Sequence, residues 1–175
     1  MTSDEQDAPG DPESAARAIC LRLLTQQART KAELAQALRR RGVPDEAAGT
    51  VLDRFVEVGL IDDKALAESV ALTQHRERGL AARAVAMKLR QRGLPDSAVE
   101  AAVGSIDPDS EREAACRLVT RKLPAMRTLP PEICSRRLIG MLGRRGYPFT
   151  LAADVVREVM ATELPQHLAD ELAGE

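Results

Sequence analysis

One phrase is written three times along this chain: LRRRGVPD at Leu38–Asp45, LRQRGLPD at Leu89–Asp96 and LGRRGYPF at Leu142–Phe149. Its glycines, Gly42, Gly93 and Gly146, stand 51 and 53 residues apart. In a chain of 175 residues, a repeat of about fifty leaves room for three small modules and little else. The agreement runs outward from the phrase. Leu34, Val85 and Leu138 lie one helical step before its first leucine, on the same face of a helix. Downstream, Ala48, Val99 and Ala152 coincide, then Leu52, Val103 and Val156, then Phe55, Ile106 and Val159. These steps of four and three draw the apolar face of a second helix.

The turn between the two helices follows from its residue types. A glycine just past a helix takes the left-handed conformation without a Cβ penalty. A proline two positions later has its φ set for a first helical turn and has no N–H to lose. Asp45, Glu46 and Asp96 then sit at the positive end of the second helix, and the basic residues before each glycine face the negative end of the first.

Other boundaries are signalled as clearly. Thr30 and Glu33 form a capping box, Gly59 closes a helix, and an aspartate of the pair Asp62–Asp63 caps the next. Asp107–Pro108 and Pro130–Pro131 open two more, and Pro124 stops one. Helices are expected near 14–27, 31–41, 45–58, 63–78, 81–92, 96–105, 109–123, 131–145 and 149–161. Aromatic residues make up only 2 % of the chain, which disfavours strands. The expected fold is therefore all-α, about nine helices in tandem three-helix repeats. Each module has too small a core to stand alone, so stacking into an elongated, curved arrangement is expected.

The expected organisation is an acidic, disordered N-terminal tail over 1–14, repeats over 15–61, 62–107 and 108–161, and an acidic C-terminal tail over 162–175. Residues 1–14 carry five acids and no base, and residues 161–175 carry four acids and no base. All 25 lysines and arginines fall in between, against 18 acids. The net charge of −2 thus conceals a basic body suited to a polyanion or an acidic protein surface.

Arginine exceeds what helix ends require. Arg39, Arg40 and Arg41, then Lys88, Arg90 and Arg92, then Arg136, Arg137, Arg144 and Arg145 recur in register. They are the candidate contacts to an anionic partner, since guanidinium groups in a row match successive phosphates or carboxylates. Arg76, Arg78 and Arg83 flank Gly79 as a further basic group. A helix-turn-helix that reads bases is disfavoured: the second helices open on acids, where a recognition helix meets DNA.

No nucleophile motif, phosphate loop or zinc motif is present, so neither enzyme activity nor a cofactor or metal site is expected. Asp62 and Asp63 read as caps rather than an acid–base pair, and His75 and His167 have no evident partner. Cys20, Cys116 and Cys134 lack metal spacing and read as buried apolar residues of a reduced, cytoplasmic protein. No apolar run is long enough to span a bilayer.

Taken together, RTKAELAQALRRRGVP, VLDRFVEVGLIDDKALAESV, RERGLAARAVAMKLRQRGL and RRLIGMLGRRGYPFTLAADVV resemble the RecX family of recombination regulators across about residues 15–160. The stretch Gly59–Asp63, Arg78–Gly79 and Arg145–Gly146–Tyr147 carry most of the likeness. Leu66, where the family often has Phe, and Pro148 are departures that keep the local chemistry. The resemblance implies an all-helical protein, expected as a monomer, that binds the RecA recombinase filament on DNA and restrains strand exchange and ATP hydrolysis in repair and recombination. DNA contact through the basic face is a further expectation. The alternatives are a helix-turn-helix-like DNA-binding protein acting without RecA, or a helical scaffold for another acidic partner.

Overall fold

The computed structural model describes residues 11–126 and 128–173, with side chains of the last helix described to residue 163. Its described residues form only helices: α1 (Pro12–Gln26), α2 (Lys31–Arg39), α3 (Asp45–Glu57), α4 (Asp63–Arg76), α5 (Ala82–Gln91), α6 (Asp96–Gly104), α7 (Pro108–Lys122), a 3-10 turn at Leu123–Met126, α8 (Pro131–Arg144) and α9 (Phe149–Ala173). The three-by-three grouping of helices is that of an all-α repeat fold. None of the described helices is long and apolar enough to cross a membrane.

The boundaries obey local chemistry. Asp11 caps α1, its carboxylate accepting from the backbone N–H of Glu13 and Ser14, with Pro12 in the first turn. The helix thus starts within the stretch expected to be tail; residues 1–10 lie outside those described. The capping box at Thr30 and Glu33 is formed in both directions. Asp62 accepts from Ala65 N–H, and Asp107 caps α7 from Ser110 N–H. Two expectations need correction. Pro44 stands at the N-cap with ψ 139° rather than inside the first turn, because its carbonyl is already accepting from Ala48. And α9 does not end near 161 but continues through Ala173, across the segment read as an acidic tail.

All three phrase glycines have positive φ: 75° at Gly42, 76° at Gly93 and 90° at Gly146. At each, the glycine N–H bonds three residues back and the next N–H bonds five residues back. The latter pairs are Val43 to Leu38, Leu94 to Leu89 and Tyr147 to Leu142. This is the Schellman closure. An apolar residue after the glycine frequently packs on the residue at the phrase's first position in such a closure, which accounts for the pattern Leu…Gly-apolar. Leu38, Leu89 and Leu142 are all fully buried.

The chain divides into two compact units, Met1–Ser69 with Leu89–Val99, and Val70–Lys88 with Glu100–Glu175. The first contains repeat one and the parts of repeat two that seat on it. Its core holds Ala16, Cys20, Leu34, Leu38, Leu52 and Phe55. The second contains the remainder of repeat two and all of repeat three, around Leu118, Leu138, Leu142, Tyr147, Val155 and Val156. Helices α4, α5 and α6 each contribute one end to each unit. The aligned positions of the second helices are buried in repeats one and three, whereas Val103 and Ile106 of repeat two are only half-buried.

Candidate functional site: repeat joints and the arginine rows

Each unit contains one joint between consecutive repeats, and the two joints share one plan. In the first, the Thr30 hydroxyl at the start of α2 donates to the backbone carbonyl of Arg92, 2.9 Å away. In the second, the N–H of the aligned residue Ala81 donates to the carbonyl of Arg145 at 3.0 Å. An acid from the first helix of the later repeat caps the helix start in each case. Lys31 N–H donates to Asp63 at 3.0 Å, and Ala82 N–H donates to Glu111 at 2.7 Å.

The glycine turn of the later repeat then presses against the earlier helix. A Cβ on Gly93 would stand 2.5 Å from the Ala32 Cβ, and one on Gly146 would stand 2.6 Å from the Ala84 Cβ. Gly42, which has no earlier repeat, has open space. Glycine is thus required twice over at the second and third turns, for its conformation and for its lack of bulk.

The joints decide what many arginines are doing. Arg92 donates to both carboxylate oxygens of Glu33, at 2.8 and 3.0 Å. That pair holds the Glu33 carboxyl below the usual carboxylate range and raises Arg92, each mainly through this hydrogen bonding. Arg145 donates its guanidinium to the carbonyl of Arg78, and the Tyr147 hydroxyl donates to the carbonyl of Gly79 at 3.1 Å. Burial, with help from the nearby Glu111, pushes Tyr147 up to about 12. Gly79 itself takes φ 61° with Leu118 packed where a Cβ would be.

Of the other candidates, Arg39 pairs with Asp45 at 3.5 Å, and its aligned counterpart Arg90 pairs with Asp96 at 2.8 Å. These are two copies of one ionic clasp across the turn. Repeat three has Gly143 and Phe149 at those positions, and Phe149 is 73 % exposed. Arg41 donates to the Ala37 carbonyl of its own helix, and Lys88 donates to Gln74. Arg40, Arg136, Arg137 and Arg144 are exposed and, among the described residues, form no side-chain ion pair or hydrogen bond.

By unit, Arg39, Arg40, Arg41, Arg90 and Arg92 belong to the first, and Lys88, Arg136, Arg137, Arg144 and Arg145 to the second. Arg39 and Arg92 meet around a cavity of about 580 Å³ with Gln36 and Gln91. The ten candidates are therefore not equivalent. Some hold the fold and some do not.

His75, for which the sequence offers no partner, is buried and has two: its Nδ1 lies 2.9 Å from the Leu80 carbonyl, and its Nε2 lies 3.2 Å from the Ser110 hydroxyl. Cys20 and Cys134 are buried and Cys116 half-buried. Burial raises all three thiols, which disfavours the thiolates a nucleophile or metal ligand requires.

Two family models match. Residues 16–55 fit that of the RecX first three-helix domain, and residues 62–103 that of the second. A Thermobifida fusca protein, Regulatory protein RecX, is 52 % identical over 156 residues, covering 89 % of this chain and 84 % of its own. The chain belongs to the RecX family. Regulatory protein RecX of Streptomyces coelicolor is 47 % identical, over 97 % of this chain and 91 % of its own. The crystal structure of RecX from Lactobacillus salivarius superposes with a TM-score of 0.77 at 19 % identity, over 85 % of this chain and 97 % of that one. For so distant a sequence this is a likeness of fold.

Proposed function

We propose that this protein binds the filament that RecA recombinase forms on DNA and restrains its strand exchange and ATP hydrolysis. On this reading it acts in the cytoplasm, as a monomer and without catalysis of its own. The observation that carries the reading is the 52 % identity, over nine-tenths of the chain, to a protein called Regulatory protein RecX. A body of repeated modules suits a repeating target, because several weak contacts on one ligand sum to useful avidity.

The contacts are assigned to the arginines that the fold does not use: Arg40, Arg136, Arg137 and Arg144. Arg92 and Arg145 are supports instead, and Arg39 and Arg90 are clasps that a partner would have to open. Sequence-specific reading of DNA without RecA is the weaker alternative. The acids at the starts of α3 and α6 are engaged with Arg39 and Arg90 and would meet phosphates unfavourably.

The test is the ATPase rate of RecA on single-stranded DNA, with this protein added below the RecA concentration. Inhibition that weakens on charge reversal at Arg136 and Arg137, with helicity unchanged, is the expected result. Unimpaired hydrolysis where filaments assemble overturns the reading.

A further inference from the structure

Because the two joints share one plan, the first serves as a control for the second. Around the first joint stand two arginines, Arg29 and Arg92, which both act on Glu33, and two carboxylates, Glu33 and Asp63, which both act on Arg92. The frame of the joint therefore closes with its charges balanced.

The second joint places four arginines on the same frame. Arg145 reaches the backbone of Arg78. Arg83 directly precedes Ala84, whose backbone nitrogen is 3.0 Å from where a Gly146 Cβ would be, and Arg144 directly precedes Arg145. In the aligned register the first joint has Gln27 for Arg78, Ala32 for Arg83, Gln91 for Arg144 and Arg92 for Arg145. Where Glu33 neutralises Arg92, the second joint has Ala84. Glu111 is the one carboxylate bonded into this joint among the described residues, and it is occupied by Ala82 N–H. Arg112, Arg117 and Glu113 on the same helix pair elsewhere or with each other.

Arg78, Arg83 and Arg144 are exposed and form no side-chain ion pair or hydrogen bond among the described residues. Three of the four positive charges are therefore unnecessary to a joint that closes elsewhere without them. Exposed charges that support nothing in the fold are free to meet an external anion.

We infer that the second joint, through Arg78, Arg83 and Arg144, is a binding site for the phosphodiester backbone of nucleic acid. Guanidiniums carried by one joint, where Glu111 is the one carboxylate bonded in among the described residues, match a ligand whose anionic groups recur at regular intervals. Tyr147, the aromatic residue of this joint, is buried with its hydroxyl held by Gly79. Tyr147 is therefore closed to base stacking, and guanidiniums that grip the backbone do so without reading sequence. This deepens the filament reading above by giving the DNA strand a place on this chain, and it stands or falls by a separate measurement.

That measurement is the affinity of the full-length protein for a fluorescent oligo-dT strand without RecA, by anisotropy across a salt series. Arg83→Gln with Arg144→Gln removes two charges without touching Arg145, which holds the joint. The expected result is a loss of about tenfold or more in affinity. The slope of log affinity against log salt should fall by about 1.4, at about 0.7 per phosphate released on a single strand. As a fold control, the aligned Gln91→Ala should leave both unchanged. Undiminished affinity and slope in the double variant overturn the inference. So does a variant that binds DNA normally but loses binding to RecA free of DNA, which would mark the patch as a protein contact. If wild type binds DNA with the expected losses yet leaves RecA hydrolysis unaffected, the phosphate site stands and the filament reading falls.

Discussion

Arg92 grips the carboxylate of Glu33 with two hydrogen bonds, of 2.8 and 3.0 Å, across 59 residues of chain. Glu33 already serves its own helix by accepting from Thr30 N–H at 3.0 Å, and Thr30 in turn donates to the Arg92 carbonyl. The capping box and the joint are one network. Both charged side chains are about 30 % exposed, so neither keeps full hydration when its partner is removed.

Replacing Glu33 by Gln should therefore cost about 1–3 kcal/mol, since hydrogen bonds to charged groups are worth about that and Arg92 would be left half-buried and unmatched. Chemical denaturation of Glu33→Gln, Arg92→Gln and the double variant checks this. The two losses should fall well short of adding, as members of one network do. Additive losses would show that the two side chains act independently.

The same pair sets an acid sensitivity. Glu33 is held below its usual range in the folded state, so its contribution is present above the unfolded carboxyl value of about 4.3 and is lost as pH falls through the lower folded value. Stability of wild type should drop on acidification from about pH 5 more steeply than that of Glu33→Gln. Parallel profiles for the two would contradict it.

Tyr147 is the one tyrosine in a chain without tryptophan, so it can be titrated without interference. Its phenol is raised to about 12, against about 10 in an unfolded chain. The folded state favours the neutral form. This contribution is fully present below pH 10 and lost between about pH 10 and 12. Absorbance of tyrosinate near 295 nm should rise only toward pH 12 in native buffer and near pH 10 in denaturant. A native midpoint near 10 would place the hydroxyl in water instead of at the Gly79 carbonyl.

The three phrase glycines should respond differently to alanine. Gly42→Ala faces only the left-handed φ of 75° in open space and should cost about 1 kcal/mol. Gly93→Ala and Gly146→Ala also drive a methyl into Ala32 or Ala84 and should cost about 3 kcal/mol, with overpacking added to strain. Thermal melts of the three single variants decide it. Equal losses would mean the joints yield easily.

Much of this was legible in the residues. The turns could be read because each of their requirements is local: a left-handed glycine, an apolar residue behind it, a helix opening after the proline. Thr30 is legible as a cap for the same reason, as is one aspartate of the pair Asp62–Asp63, which the structure resolves to Asp62. The joints could not be read, because Thr30 and Glu33 are fully explained by capping α2, and nothing in the order of residues says that they also hold Arg92.

Arg92 and Arg41 occupy the same place in the phrase, yet Arg41 bonds only its own helix. Register alone made the ten basic candidates look alike. What separates Arg92 from Arg41 is whether an earlier repeat lies behind the turn, a fact of tertiary structure. The Arg39–Asp45 clasp shows the reverse case. It repeats at Arg90–Asp96, yet its side chains are 71 % and 80 % exposed, so its loss should matter little to stability.

The long reach of the joints bears on how the chain is born. Repeat one can complete its helices and bury Leu34 and Leu38 as soon as α3 has left the ribosome. Glu33 and Thr30, however, must wait about 35 further residues, from Glu57 to Arg92. Until then the nascent domain carries a carboxylate without its counter-ion, ready-made for the segment still being synthesised, so that each module is finished by the one that follows it.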